Sequence, residues 1–229
     1  MSWFTKFITS SLGQKLVMSL TGLFLILFLL VHLTGNLQLL KDDGGYAFNI
    51  YSYFMTQNPL IKTVSYLLYL FILLHAVQGI VLWINNLRAR GSKGYAVKVT
   101  RTVNTSSFAS RNMAMLGLLI LVFLGIHLGD FWWKMKFGTT PMVTYDGQEY
   151  KDLYSLVDTS FRQTWVMVVY LISMLGLFFH LWHGFQSAFQ TLGINHKKYT
   201  PLIRAVGWLY SVLVPLGFAF ISVYYYFFK

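Results

Sequence analysis

The chain has no cysteine and few charges. Of its 229 residues 56% are hydrophobic and only 11% are Asp, Glu, Lys or Arg. Without thiols there are no disulfides, no iron–sulfur cluster held by this chain and no Cys-x-x-Cys-His attachment of a c-type haem. Any haem is then non-covalent, and no metal cluster is expected in this chain, so that any iron–sulfur centre belongs to a partner. The scarcity of charge, together with five apolar blocks of roughly 20 residues or more, excludes an ordinary soluble core, since about 20 apolar residues are what a helix needs to cross about 30 Å of hydrocarbon. Uninterrupted runs such as Gly22 to Val31 lack the alternation of a membrane β-barrel. The expected fold class is an all-α integral membrane protein: one membrane domain over residues 1–229, with spans at about 16–40, 62–87, 112–133, 163–192 and 202–228.

Acidic residues are the scarcest charge, and their placement is one-sided. With the N-terminus inside, the inner segments hold Lys6, Lys15, Arg88, Arg90, Lys93, Lys98, Arg101, Arg111, Lys197, Lys198 and Arg204, and no acid. The outer segments hold the other basic residues, Lys41, Lys62, Lys134, Lys136, Lys151, Arg162 and Lys229, and all seven acids: Asp42, Asp43, Asp130, Asp146, Glu149, Asp152 and Asp158. The positive-inside rule therefore predicts N-in, C-out, and the net charge of +11 serves topology rather than nucleic acid, which is not an expected partner. The basic loop from Arg88 to Arg111, broken by Gly91 and Gly94, suits anionic headgroups or a soluble partner. The N-terminus leads into a full-length span with no small-residue cleavage site, so it reads as a retained helix rather than a signal peptide.

In order, Phe4 to Ser11 reads as a short amphipathic segment at the inner surface. Asp42-Asp43-Gly44-Gly45 reads as a turn, and Tyr46 to Pro59 as an aromatic interfacial connection. Gly138, Pro141 and Gly147 break the segment from Lys134 to Arg162, whose low apolar content predicts no packed unit there. Pro215 predicts a kink in the fifth span.

Histidine is what the apolar blocks do contain. His32, His75, His127 and His180 lie singly on the first four spans, with His183 one turn beyond His180, and an imidazole at membrane depth is costly and usually functional. At 1.5 Å per residue, the rising first and third helices place His32 and His127 towards the outside, and the descending second and fourth place His75 and His180 at or below the middle. Two pairs follow. Two imidazoles fill both axial positions of a haem iron, so the chemistry implied is electron transfer rather than oxygen activation. The strings His75-Ala-Val-Gln78-Gly79 and His180-Leu-Trp-His183-Gly184 share one His-x-x-x-Gly pattern, with the small residue leaving room for a porphyrin, and Gly35 and Gly129 follow the outer pair. Gln78 and His183 occupy the same place in the two strings and read as polar neighbours of the inner cofactor, together with the basic Arg111. His180 is the preferred ligand over His183, which lies only about 60° away around the helix.

These residues resemble the single-chain dihaem cytochrome b anchors of bacterial succinate dehydrogenases and fumarate reductases. The likeness covers nearly the whole chain: five spans, one histidine on each of the first four, and the strings Val-His32-Leu, Tyr-Ala-Phe-Asn, Tyr-Phe-Met, His75-Ala-Val-Gln-Gly, and Phe-His180-Leu-Trp-His-Gly followed by Leu-Gly193. The resemblance implies two b-type haems, one on His75 and His180 near the soluble subunits and one on His32 and His127 near the outer face. It implies an FAD flavoprotein and an iron–sulfur subunit on the cytoplasmic side, a bacterial cytoplasmic membrane, and a quinone, typically menaquinone. Dicarboxylate chemistry then lies in a partner. The quinone is expected near the outer haem, beside Asn49, Tyr53, Thr56 and Gln57 and the start of the second helix.

Two places depart from the family pattern. Some fumarate reductase members carry a glutamate two residues before the fourth-helix ligand, where this chain has Phe178, and an acid in the outer loop, where it has about Thr56. Both absences leave the proton route open and favour succinate oxidation slightly. Two other readings compete: a dihaem anchor of the nitrate reductase or hydrogenase type, and a haem-free transporter or anchor whose histidines relay protons.

Overall fold

The computed structural model describes residues 2–90 and 108–229. Gly91, Gly94, Lys93, Lys98 and Arg101 of the basic loop lie outside the described residues. Five helices are long and apolar enough to cross a membrane. A short helix α1 (Trp3–Thr9) leads into α2 (Ser11–Asn36), which tightens into a 3-10 turn over Leu37–Leu40. Then come α3 (Tyr46–Gln57), α4 (Pro59–Arg90) and α5 (Phe108–His127), the last continuing through a π-helical turn, Leu128–Trp133, into α6 (Lys134–Phe137). A hairpin β1 (Met142–Tyr145) and β2 (Gln148–Lys151), α7 (Leu153–Phe161), α8 (Thr164–Thr191) and α9 (Thr200–Phe228) complete the chain.

Local chemistry explains the boundaries. Ser10 caps α2 by accepting the Gly13 N–H at 3.0 Å, and this corner folds α1 back onto α2. The expected turn before α3 is real: Gly44 and Gly45 have φ of 63° and 88°, and a side chain on Gly45 would also strike the ring of Tyr154. The aromatic connection that follows is itself a helix, α3. Asp43 starts it by accepting the backbone N–H groups of Gly45 and Ala47, both at 3.0 Å. Pro215 does not break α9, which is one helix from Thr200 to Phe228.

The segment from Lys134 to Arg162 corrects two expectations: it is packed, and it contains the two-stranded hairpin that an all-α description misses. Asp146 and Gly147 both have positive φ, at 50° and 80°, and join Tyr145 to its partner Gln148 in the tight turn that suits a twisted hairpin. Low average hydrophobicity hid the cap because its few apolar groups are concentrated. Val157 and Phe161 of α7 are buried with Leu39, Phe48, Val166, Tyr170, Ile221 and Tyr225. Asn49 of α3, 1% exposed, ties the parts together: its Nδ2 donates to Asp152 Oδ1 at 3.0 Å and to the Tyr145 hydroxyl at 3.2 Å, while its Oδ1 accepts the Tyr154 N–H at 3.0 Å. Asp152 in turn caps α7 through the Ser155 N–H at 3.1 Å. We call this end of the bundle the capped end, and the opposite end the basic end.

Helix α8 is central, packing on α9, α5 and α2, while α4 leans on α2. Helix α9 carries no histidine and acts as a clamp. Its Tyr210 hydroxyl donates to the Ile26 carbonyl at 2.5 Å and its Tyr225 hydroxyl to the Leu39 carbonyl at 2.8 Å, both on the first span. At its end Lys229 Nζ lies 3.1 Å from Asp42, whose carboxylate holds the ammonium above its ordinary range.

Candidate functional site

The four single histidines meet in twos, as their depths predict. His32 and His127 have ring centroids 5.8 Å apart with planes at 87°, and His75 and His180 are 6.2 Å apart at 65°. A metal between two imidazole nitrogens, with bonds of about 2 Å each, separates ring centroids by roughly 6 Å. Both pairs therefore have the spacing of axial ligands. Among the described residues no three His, Asp or Glu side chains converge, so a bare-ion site with a full protein ligand set is not formed.

Each ring is steered through its second nitrogen. At His127, Nδ1 is 2.8 Å from the Tyr170 hydroxyl. At His75, Nδ1 is 3.2 Å from Thr21 Oγ1, and at His32, Nδ1 is 3.5 Å from Asn36 Nδ2, which also donates to the His32 carbonyl at 2.8 Å. Where the partner is a hydroxyl able to accept the Nδ1 proton, as at His127 and His75, Nε2 is left as the ligating atom of a neutral imidazole and the ring plane is fixed. The Asn36 amide only donates and does not set that tautomer at His32. His180 Nδ1 is the exception: it is buried with no partner among the described residues.

Sequence reasoning missed Thr21, Gly22, Gly117 and Tyr170. A Cβ on Gly22 would lie 3.2 Å from His75 Cε1, and one on Gly117 would lie 3.9 Å from His180 Cε1. Each glycine stands ten residues before the histidine of its own helix, Gly22 before His32 and Gly117 before His127, and Tyr170 stands ten before His180. Ten residues rise about 15 Å. Each of these residues therefore lies at the depth of the other pair, and the signal was available in the spacing.

The remaining candidates divide. Gln78 and His183 each sit one turn beyond the inner pair towards the basic end; Gln78 Oε1 is buried without a partner among the described residues, and His183 is half-buried. Gly184 has nothing within 4 Å of a built Cβ, whereas one on Gly79 would touch Met18 Cε at 3.4 Å. Arg111 is exposed at the start of α5. Asn49 has its amide committed to the cap. Tyr53 packs its ring 5.0 Å from that of Tyr150, Thr56 donates to the Tyr53 carbonyl at 3.0 Å, and Gln57 is exposed at the end of α3.

The side chains around the pairs suit a flat apolar cofactor. Phe28 stacks on His32 at 5.2 Å, Phe218 lies 5.6 Å from it, and Phe123 and Phe131 lie 5.8 and 5.4 Å from His127. The buried positions of α2 are Gly13, Ser19, Thr21 and Gly35, all small, so the first span lets its neighbours approach closely, whereas α8 buries large side chains, among them Tyr170, Leu177 and Leu181. Paired imidazoles, hydroxyl partners on the Nδ1 of His127 and His75, aromatic rings about the outer pair and Gly22 and Gly117 beside the inner one fit a haem at the two pairs. Comparison of the chain with family models, with curated proteins and with solved structures returned no match.

Proposed function

We propose that the chain is the membrane-anchoring cytochrome b subunit of a succinate:quinone oxidoreductase, carrying electrons between a partner iron–sulfur subunit and membrane quinone. The observation that carries this reading is the double pairing, His32 with His127 and His75 with His180, at axial-ligand spacing and about 15 Å apart along the helices. His32 and His127 would hold one b-type haem at the capped end, and His75 and His180 another nearer the basic end. Held by two imidazoles each, such groups would supply one-electron transfer rather than oxygen activation.

The chain's own residues do the orienting. Tyr170 and Thr21 hold their rings by Nδ1, Gly22 and Gly117 keep side chains away from the inner pair, and Gln78 and His183 offer polar atoms beside it. The charge asymmetry supports the basic end as cytoplasmic, where the iron–sulfur and FAD subunits would dock, and the capped end as outer, where quinone, menaquinone on the family likeness, would exchange electrons. The membrane would be the bacterial cytoplasmic membrane.

The test is optical and biochemical. A reduced-minus-oxidised spectrum of the purified protein should show b-type bands from two haems, with flavoprotein and iron–sulfur subunits co-purifying. Absence of those bands would remove the reading in favour of a haem-free transporter or anchor; bands with a molybdenum or nickel partner would indicate the nitrate reductase or hydrogenase type.

A further inference from the structure

The third span does not finish as an α-helix. Just beyond His127 it widens into the π-helical turn Leu128–Trp133 before its last α turn. Such turns are rare and occur often at functional sites. Near the middle of this one is Asp130, the single acid within the five spans. Its Oδ1 is 3.0 Å from Lys134 Nζ, but its Oδ2 is buried with no partner among the described residues. An anionic oxygen removed from water without a donor is costly, so a carboxylate kept there is a functional group until shown otherwise.

Its surroundings indicate what it serves. The Asp130 side chain is 20% exposed and that of Lys134 is 48% exposed, and the pair stands at the capped end of the third span, one turn and two turns beyond His127. The carboxylate also lies within electrostatic reach of the Tyr170 hydroxyl. Two residues on, Trp132 Nε1 donates to the Tyr69 hydroxyl at 2.9 Å, which closes the π turn onto the first turns of α4. There Tyr66, Tyr69 and Trp133 present exposed aromatic surface at the height where a quinone ring would arrive from lipid.

We infer that Asp130 is the proton-exchanging carboxylate for quinone chemistry at the capped end, in the role left open by Phe178 and Thr56. This rests on the proposed electron-transfer function. Oxidation of one quinol breaks two O–H bonds and releases two electrons and two protons. The electrons leave singly to the one-electron acceptors that the histidine pairs would hold. Asp130 takes one proton with each electron and passes it past Lys134 to outer water; quinone reduction runs the same transfers backwards.

The variants are Asp130→Asn and Asp130→Glu in the purified protein with its native partners, and the probe is 2,3-dimethyl-1,4-naphthoquinol. Asp130→Asn should keep the full dithionite-reduced b-type spectrum yet be reduced by the quinol roughly 100-fold more slowly, as loss of a general base predicts, and Asp130→Glu should recover most of the rate. Infrared difference spectra recorded on electrochemical reduction of the bound naphthoquinone should contain a carboxylic C=O change that is absent in Asp130→Asn and displaced in Asp130→Glu. If Asp130→Asn does not assemble, the infrared change in the wild type and its displacement in Asp130→Glu decide the matter. An Asp130→Asn protein that matches the wild type in rate and infrared spectrum overturns the inference. A wild-type protein with no b-type bands instead sinks the proposed function, and the infrared outcome still reads Asp130 separately.

Discussion

The hydroxyl of Tyr170 on α8 lies 2.8 Å from Nδ1 of His127 at the end of α5. The tyrosine also packs edge-on against Phe123 and Phe161, each at 4.8 Å, so the group that aims the imidazole is itself fixed by the core beneath the cap. Outer partners of this kind typically contribute 10- to 100-fold to metal affinity. With a haem at each histidine pair, as proposed, Tyr170→Phe should therefore lose the one at His32 and His127 about tenfold more readily on detergent washing and shift its midpoint potential, while the one at His75 and His180 titrates unchanged. Equal shifts in both haems would place the effect in general stability instead.

His180 and His183 can be separated by counting cofactors. His180→Ala should leave one of two haems, because its ring is the one 6.2 Å from His75. His183→Ala should keep both and change only the potential of the inner one. Pyridine haemochrome content per chain is the measurement, and the reverse pattern would exchange the two assignments.

Gly22 offers a steric test. A Cβ there would already crowd His75 Cε1 at 3.2 Å, so Gly22→Leu should exclude the inner haem and spare the outer. Retention of both haems at normal potentials would show that the first span stands further from the inner pair.

Asn49→Ala removes three hydrogen bonds at one buried point and strands the Tyr154 N–H. A loss of about 3 kcal/mol is expected, concentrated in the cap rather than in the spans. Limited proteolysis should then cut the hairpin over 142–151 before any helix melts, and unchanged protease resistance would count against this role.

The charge asymmetry predicts that a cysteine introduced at position 98 is shielded from an impermeant maleimide added to intact cells, whereas one at position 149 is labelled. Labelling at 98 and not at 149 would invert the orientation.

The spans and the histidine pairing were legible because both depend on a linear rule: helix rise converts position into depth, and apolar length converts into crossing. His32 and His127 meet for that reason. The cap was illegible by the same rule. Its stability comes from an Asp146-Gly147 turn that was read as a breaker, and from one buried amide, Asn49, whose partners lie about 100 residues away in the chain. The Asp-Gly pair between Met142-Val-Thr-Tyr and Gln148-Glu-Tyr-Lys is a hairpin signal that can be used on sight. Tyr170 is marked only by its ten-residue spacing from His180, since nothing in its immediate neighbours marks a phenol as the partner of a distant imidazole. The π turn has no composition of its own, and so the placement of Asp130 emerged only from the fold.

Tyr210 and Tyr225 grip the first span by main-chain oxygens, at Ile26 and Leu39. Every amino acid supplies that acceptor, so substitutions at 26 or 39 that preserve the helical path leave both bonds in place, whereas the donors on α9 are irreplaceable phenols. Mutational tolerance across this contact is therefore lopsided. A saturation library should find position 26 more tolerant than Tyr210, and position 39, whose side chain is buried in the core, limited to residues of its own size and apolarity, although α9 is the span with no histidine and, to casual inspection, the one with least to lose.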